Sequence, residues 1–141
     1  MIREQTYWMG RDKKYPEELT GEIEANAAEL LGKVNNLLAA LGWPDPEIRS
    51  GWRPQGVNDA TANAAAHSKH LTGQAIDLAD DDRSLARAIM MESDVLTQFG
   101  LFMEDPRWCP TWTHLQSVAP KSGKRIFIPS SAPPIAPPVI A

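Results

Sequence analysis

Apolar side chains at Ile23, Ala27, Leu30, Leu31, Val34, Leu37, Leu38 and Leu41 recur every three or four positions, which places them on one stripe of a helix. The spacing predicts a helix over about 20–41. Thr20 can cap its start, Glu22 and Glu24 sit where the helix dipole favours acids, and Gly42 followed by Pro44 stops it. A second helical pattern runs through "DDRSLARAIMMESDVLTQFG", with Leu85, Ile89, Leu96 and Phe99 on its apolar stripe, Asp81 or Asp82 as cap and Gly100 as terminator.

Elsewhere the period shortens to two. "EIRSGWR" from Glu47, "QAIDLA" from Gln74, "GLFME" from Gly100, "WTHLQS" from Trp112 and "KRIFIP" from Lys124 read as five short strands. Alternation assigns their faces: Ala75 and Asp77 share one side, Ile76 and Leu78 the other, and His114 and Gln116 lie opposite Thr113 and Leu115. Asp77 then points away from the apolar layer, and His114 can face it across neighbouring strands. Helices segregated from such strands predict an α+β fold, a small antiparallel sheet with flanking helices. The alanine-rich "NDATANAAAHSKH" reads as either a short helix or a loop. "SSAPPIAPPVIA", from Ser130, is expected to be an extended or mobile tail, because proline cannot sit in a helix interior or a central strand.

At 141 residues the chain suits one domain over 1–129 followed by the Pro-rich tail 130–141. A net charge of -4 offers no broad attraction for nucleic acid or anionic membrane, so neither is expected as a partner. No segment reaches the roughly 18 apolar residues of a membrane span, and no signal-peptide run follows the first charges. The expectation is a soluble chain made without a secretion signal. Cys109 is the only cysteine, which excludes an intramolecular disulfide and a thiolate-rich zinc cage. A metal here must rely on histidine and carboxylate.

A catalytic zinc needs three protein ligands and an open fourth position. The chain's three histidines, His67, His70 and His114, and the strand residue Asp77 are the candidates. Their spacing alone leaves open a three-histidine site with Asp77 behind it. The wider arrangement narrows the field: "SGWRP" at Ser50, "SKHLTGQAID" from Ser68, "MEDPRW" from Met103 and "WTHLQ" from Trp112 follow in order.

These segments resemble the M15-type zinc D-Ala-D-Ala carboxypeptidases and phage endolysin peptidases. That pattern runs Ser-Gly-aromatic-Arg, Ser-x-His with Gly and Asp following, then aromatic-x-His, and the likeness covers roughly 48–117. The resemblance implies a hedgehog/DD-peptidase-like fold and one Zn2+ held by His70, Asp77 and His114. It also implies a peptidoglycan stem or cross-link peptide as substrate, bound in part by Arg53. Action on the bacterial cell wall would follow holin-type release or delivery as part of a virion.

Arginine suits an oxyanion or a peptide carboxylate because its fork is planar and permanently charged, although a plain salt bridge would also explain Arg53. Ser68 is a candidate for contacting substrate, for orienting His70 or for stabilising a turn, and Trp112 and Trp108 could line a groove. Many relatives carry a glutamate two or three residues before the last histidine, where this chain has Thr111 and Trp112. Glu104, at a strand end, is the candidate general base, with Asp105 as runner-up. Cys109 reads as a packed residue rather than a nucleophile. The missing glutamate leaves a second reading open, a non-catalytic binding or virion structural protein that retains the metal.

Overall fold

In the computed structural model, residues 1–62, 64–92 and 94–129 can be described, and the Pro-rich tail falls outside them. The long helix forms where the apolar stripe requires it, as α3 (Gly21–Ala40), after two short N-terminal helices, α1 (Glu4–Trp8) and α2 (Arg11–Lys14), that the pattern does not predict. Thr20 Oγ1 accepts the Ile23 N–H at 3.2 Å, and Gly42 follows the last turn with φ of 63°. Ala27, Leu30, Leu31, Val34, Leu37 and Leu38 are buried on its inner face. Each large side chain so placed contributes roughly 1.5–3 kcal/mol of transfer free energy.

Against this face lies a five-stranded sheet in the order β1-β2-β4-β3-β5, with β1 (Ile48–Ser50), β2 (Ala75–Ala79), β3 (Phe102–Glu104), β4 (Trp112–Gln116) and β5 (Ile126–Phe127). The fold is α+β, as expected. Ile76, Leu78, Met103 and Leu115 are fully buried and share one apolar cluster with Leu30 and Leu37 of α3. The sheet is not wholly antiparallel: β5 pairs with β3 in parallel, Met103 N–H donating to Arg125 O at 2.7 Å. The segment after β4 steps past β3 at the end of the sheet where β4 finishes, so β5 runs antiparallel to β4 and in the same sense as β3.

The second helical pattern resolves into α5 (Ser84–Met91) and α6 (Val95–Phe99), with α4 (Gln55–Ala60) preceding β2. The break falls at exposed Glu92 and Asp94, which have no core to face. The expected aspartate cap is corrected as well. Asp82 does accept the Ser84 N–H, but Asp81 pairs with Arg49, and buried Asp80 accepts from Leu85 N, Ala86 N and Thr113 Oγ1, each at 2.9 Å. The alanine-rich stretch begins inside α4, which takes in Asn58 to Ala60, and its described residues beyond that form turns and irregular chain. No helix among the described residues is long and apolar enough to cross a membrane.

Two glycines fix the loops that carry the candidate site. A Cβ on Gly51 would lie 2.0 Å from Tyr7 O, so α1 can lie on this strand end only if residue 51 is glycine. Gly73 has φ of 75° and sits 2.8 Å, measured from an added Cβ, from Ile23 O, which lets the chain turn tightly between His70 and Asp77.

Candidate metal centre

The segments "SGWRP" and "SKHL" are stapled to each other by backbone and side-chain bonds. Arg53 N–H donates to His70 O at 3.0 Å, Trp52 Nε1–H to Leu71 O at 3.1 Å, and the His70 Nδ1 contact to Gly51 O is 2.8 Å. Tyr7 and Arg11 brace the pair from outside, donating to Ala75 O and Trp52 O, each at 2.8 Å. His70 is thereby held rigidly, with Nδ1–H committed to a carbonyl. Its Nε2 is buried, lacks any hydrogen-bond partner, and lies 3.3 Å from Asp77 Oδ2.

Asp77 and His114 are direct cross-strand partners on β2 and β4, as alternation predicted. Asp77 Oδ1 lies 2.8 Å from His114 Nδ1. Its other oxygen receives Arg53 Nη2 at 3.3 Å, while Arg53 Nε donates to Ser50 Oγ at 2.9 Å and Nη1 to Asn58 Oδ1 at 3.3 Å. Asn58 is in turn fixed by its bond to Ala65 O. Arg53 is 8% exposed, so a contact with substrate would have to use the one N–H left over on each terminal nitrogen.

His70, Asp77 and His114 offer ligand atoms that all lie within 4.8 Å of one another. Two imidazole nitrogens and a carboxylate oxygen are a donor set that zinc accepts. A second observation agrees: the His70 Nε2 lone pair faces a carboxylate oxygen with no proton between them, an arrangement that a shared cation would relieve. His67 is exposed, lies outside this cluster, and does not support the three-histidine alternative.

The electrostatics follow from burial. Burial favours the neutral acid of Asp77, yet the neighbouring His70 imidazole and the hydrogen bond from His114 at 2.8 Å outweigh it and hold the carboxyl well below its usual range. Burial also lowers His70, against the pull of Asp77. For His114 burial opposes the charge too, but its hydrogen bond to Asp77 and the charges of Asp77 and Glu104 push it up to about 9. In the metal-free protein the site's proton therefore resides on His114.

This proton makes stability depend on pH. A folded value above the ordinary 6.5 means the contribution is fully present below about pH 6.5 and is lost as pH rises through about 9. Chelator-treated protein should melt at progressively lower temperature over that window, losing about 3 kcal/mol at most. A melting temperature that stays level or rises from pH 6.5 to 9 would contradict the assignment.

Glu104 ends β3 beside this group, its Oε2 3.9 Å from His114 Nδ1. Burial raises its carboxyl, partly offset by His114 and by the Cys109 thiol. Cys109 is fully buried and its thiol is pushed up by that burial, which suits packing and not nucleophilic attack. Asp105 turns away, capping the 3-10 turn Pro106–Trp108 and pairing with Arg107 at 2.7 Å. Ser68 Oγ accepts the His70 N–H at 3.2 Å, a turn bond that steadies the ligand. Trp112 is half-buried on the His114 side of β4, and Trp108 lies under the Arg107 guanidinium. Sequence reasoning gave no role to Ser50, Asn58 and Gln116, although Gln116 shares the His114 face.

A family model described as Peptidase M15 matches residues 10–130. No curated protein and no solved structure matches the chain.

Proposed function

The chain belongs to the peptidase M15 family, and from that membership and the centre just described we propose that it is a zinc-dependent peptidase acting on peptidoglycan peptides. The observation that carries the metal is the unpartnered His70 Nε2 set against Asp77, with His114 Nδ1 completing the donors. When bound, the ion supplies Lewis acidity and an activated water. His70, Asp77 and His114 hold it. Glu104, whose Oε2 lies 3.9 Å from His114 Nδ1, is the carboxylate that would take a proton from an attacking water and return it to the leaving amine.

Arg53 hydrogen-bonds Asp77 Oδ2 at 3.3 Å and helps fix it in place. Its remaining N–H groups are what the substrate's carbonyl or carboxylate would accept from. Ser68, close to His70 in sequence, and Trp112, on the His114 face of β4, are the further candidates for contacting the peptide. The substrate assignment rests on the likeness of "SGWRP", "SKHLTGQAID" and "WTHLQ" to wall-acting enzymes: stem or cross-link peptides, reached after release from the cell or within a virion.

One observation favours a second reading, a metal-binding but non-catalytic wall-peptide or virion protein: neither Thr111 nor Trp112 can serve as the base found there in many relatives. The two readings part on turnover. Stoichiometrically zinc-loaded protein is expected to release new amines from purified peptidoglycan or a D-Ala-D-Ala-terminated stem peptide, with the cut bond read by mass spectrometry, and to stop when a chelator is added. Bound zinc without turnover on several wall chemotypes would favour the second reading, and absence of bound zinc would sink both.

A further inference from the structure

Gln116 follows His114 by two residues on the same face of β4 and is only 5% exposed. Its amide has one workable orientation. Nε2 donates to Val118 O at 2.7 Å, and a reversed amide would set two carbonyl oxygens against each other. Oε1 is therefore the atom 2.8 Å from His114 Nε2. An oxygen acceptor at that distance calls for a hydrogen on Nε2, so a neutral His114 carries its lone pair on Nδ1, the nitrogen 2.8 Å from Asp77 Oδ1.

His70 is arranged the opposite way. Gly51 O takes its Nδ1–H and leaves Nε2 for Asp77 Oδ2. The two imidazoles thus approach the same carboxylate through different nitrogens, each selected by an oxygen on its far side. For His70 that oxygen belongs to the backbone, which no substitution removes. For His114 it belongs to a side chain.

We infer that Gln116 is a positioning residue: the Gln116 amide commits His114 to offering Nδ1 to the metal. Without that acceptor the neutral ring divides between two tautomers and is free to turn, so part of the population presents an N–H where a lone pair is needed. The acceptor also increases the basicity of the ligating nitrogen. Loss of such a partner typically costs 10–100-fold in metal affinity. The inference rests on the zinc reading above and deepens it, since it names a residue on which the donor set depends.

The test uses the full chain, with zinc as the probe. Zinc affinity is measured by competition with a chromophoric chelator, and the zinc-loaded, 15N-labelled protein is examined by long-range 1H–15N correlation, in which protonated Nε2 couples to both ring C–H protons and protonated Nδ1 to one. Wild type is expected to show protonated Nε2 on His114 and protonated Nδ1 on His70. Gln116→Met should bind zinc about 10–100-fold more weakly and lose the single His114 pattern while keeping that of His70. Should Gln116→Met fold poorly, Gln116→Glu decides. It retains an oxygen for the His114 Nε2–H, its other oxygen donating to Val118 O as the protonated acid, and is expected to keep the wild-type pattern and to bind zinc more tightly than Gln116→Met.

Unchanged affinity and ring pattern in Gln116→Met would overturn the inference and leave the zinc reading standing. So would a tenfold loss in Gln116→Glu with the His114 pattern gone. Wild-type protein that binds no zinc would overturn the zinc reading, and this inference with it.

Discussion

Asp77→Ala is expected to abolish stoichiometric zinc binding and also to destabilise the metal-free protein, by about 3–5 kcal/mol. Both effects have one cause. The carboxylate is the shared counter-charge of three cations or potential cations, with Arg53 at 3.3 Å, His70 at 3.3 Å and His114 at 2.8 Å. Its removal leaves the Arg53 guanidinium in a place that is 8% exposed, with only neutral oxygens from Ser50 and Asn58 to satisfy it. It also strips His114 of the partner that keeps it protonated near neutral pH. Asp77→Asn should lose zinc as well, but at a smaller cost in stability, because the amide fills the volume and still accepts one hydrogen bond. His67→Ala, at an exposed turn position, should change neither quantity. Metal analysis and denaturant unfolding of chelated protein measure the two effects separately. Retention of zinc by Asp77→Ala, with loss of zinc from His67→Ala, would restore the three-histidine arrangement.

Features governed by neighbours along the chain are legible in the sequence alone. The helix from Gly21 to Ala40 carries its stripe, its Thr20 cap and its Gly42 stop within one stretch, so local physics suffices. Alternation does the same for the sheet: parity alone puts Asp77 and His114 on one face and Ile76 and Leu115 on the other, and the register then makes the first two direct partners. Parity also holds a signal that is easily missed. Asp80 continues the core-facing series Ile76, Leu78, and Thr113 has the core-facing parity on β4, so an acid in the interior awaiting a hydroxyl is readable there. The run of three aspartates hides it by making Asp81 and Asp82 equally attractive caps.

What stays illegible depends on contacts remote in sequence. α1 and α2 are four or five residues long, too short for a period, and are held by Tyr7 against Ala75 and Arg11 against Trp52. The sense of β5 is hidden for a related reason. Its composition marks a strand, but whether it runs with or against β3 is decided by the path of the preceding loop. Arg53 shows the same limit in the site. "SGWRP" marks it as important, yet only the fold reveals that its three engaged nitrogens serve Ser50, Asn58 and Asp77.

Glu104→Gln is expected to lower kcat by about 10²–10⁴ while leaving KM and zinc affinity nearly unchanged. The amide keeps the size and shape of the side chain and can still accept from the Cys109 thiol, so packing at the end of β3 is preserved. What it loses is the capacity to take a proton at Oε2, the atom 3.9 Å from His114 Nδ1. The environment suits that task. With its side chain 18% exposed, Glu104 is screened from most of the solvent, and burial raises its carboxyl toward the neutral range in which a base can both accept a proton and return it. Asp105 offers the contrast: partial burial favours its neutral acid, but Arg107 binds the carboxylate at 2.7 Å and holds the carboxyl below its usual range. Asp105→Asn should therefore alter kcat little, and Glu104→Asp, shorter by one methylene, should fall between wild type and Glu104→Gln. Zinc-loaded Glu104→Gln that turns over at the wild-type rate would remove Glu104 as the base. An equal loss in Asp105→Asn would move the role along the loop by one residue. If both variants and wild type are inert while all bind zinc, the carboxylate beside His114 has no proton to move and the non-catalytic reading prevails.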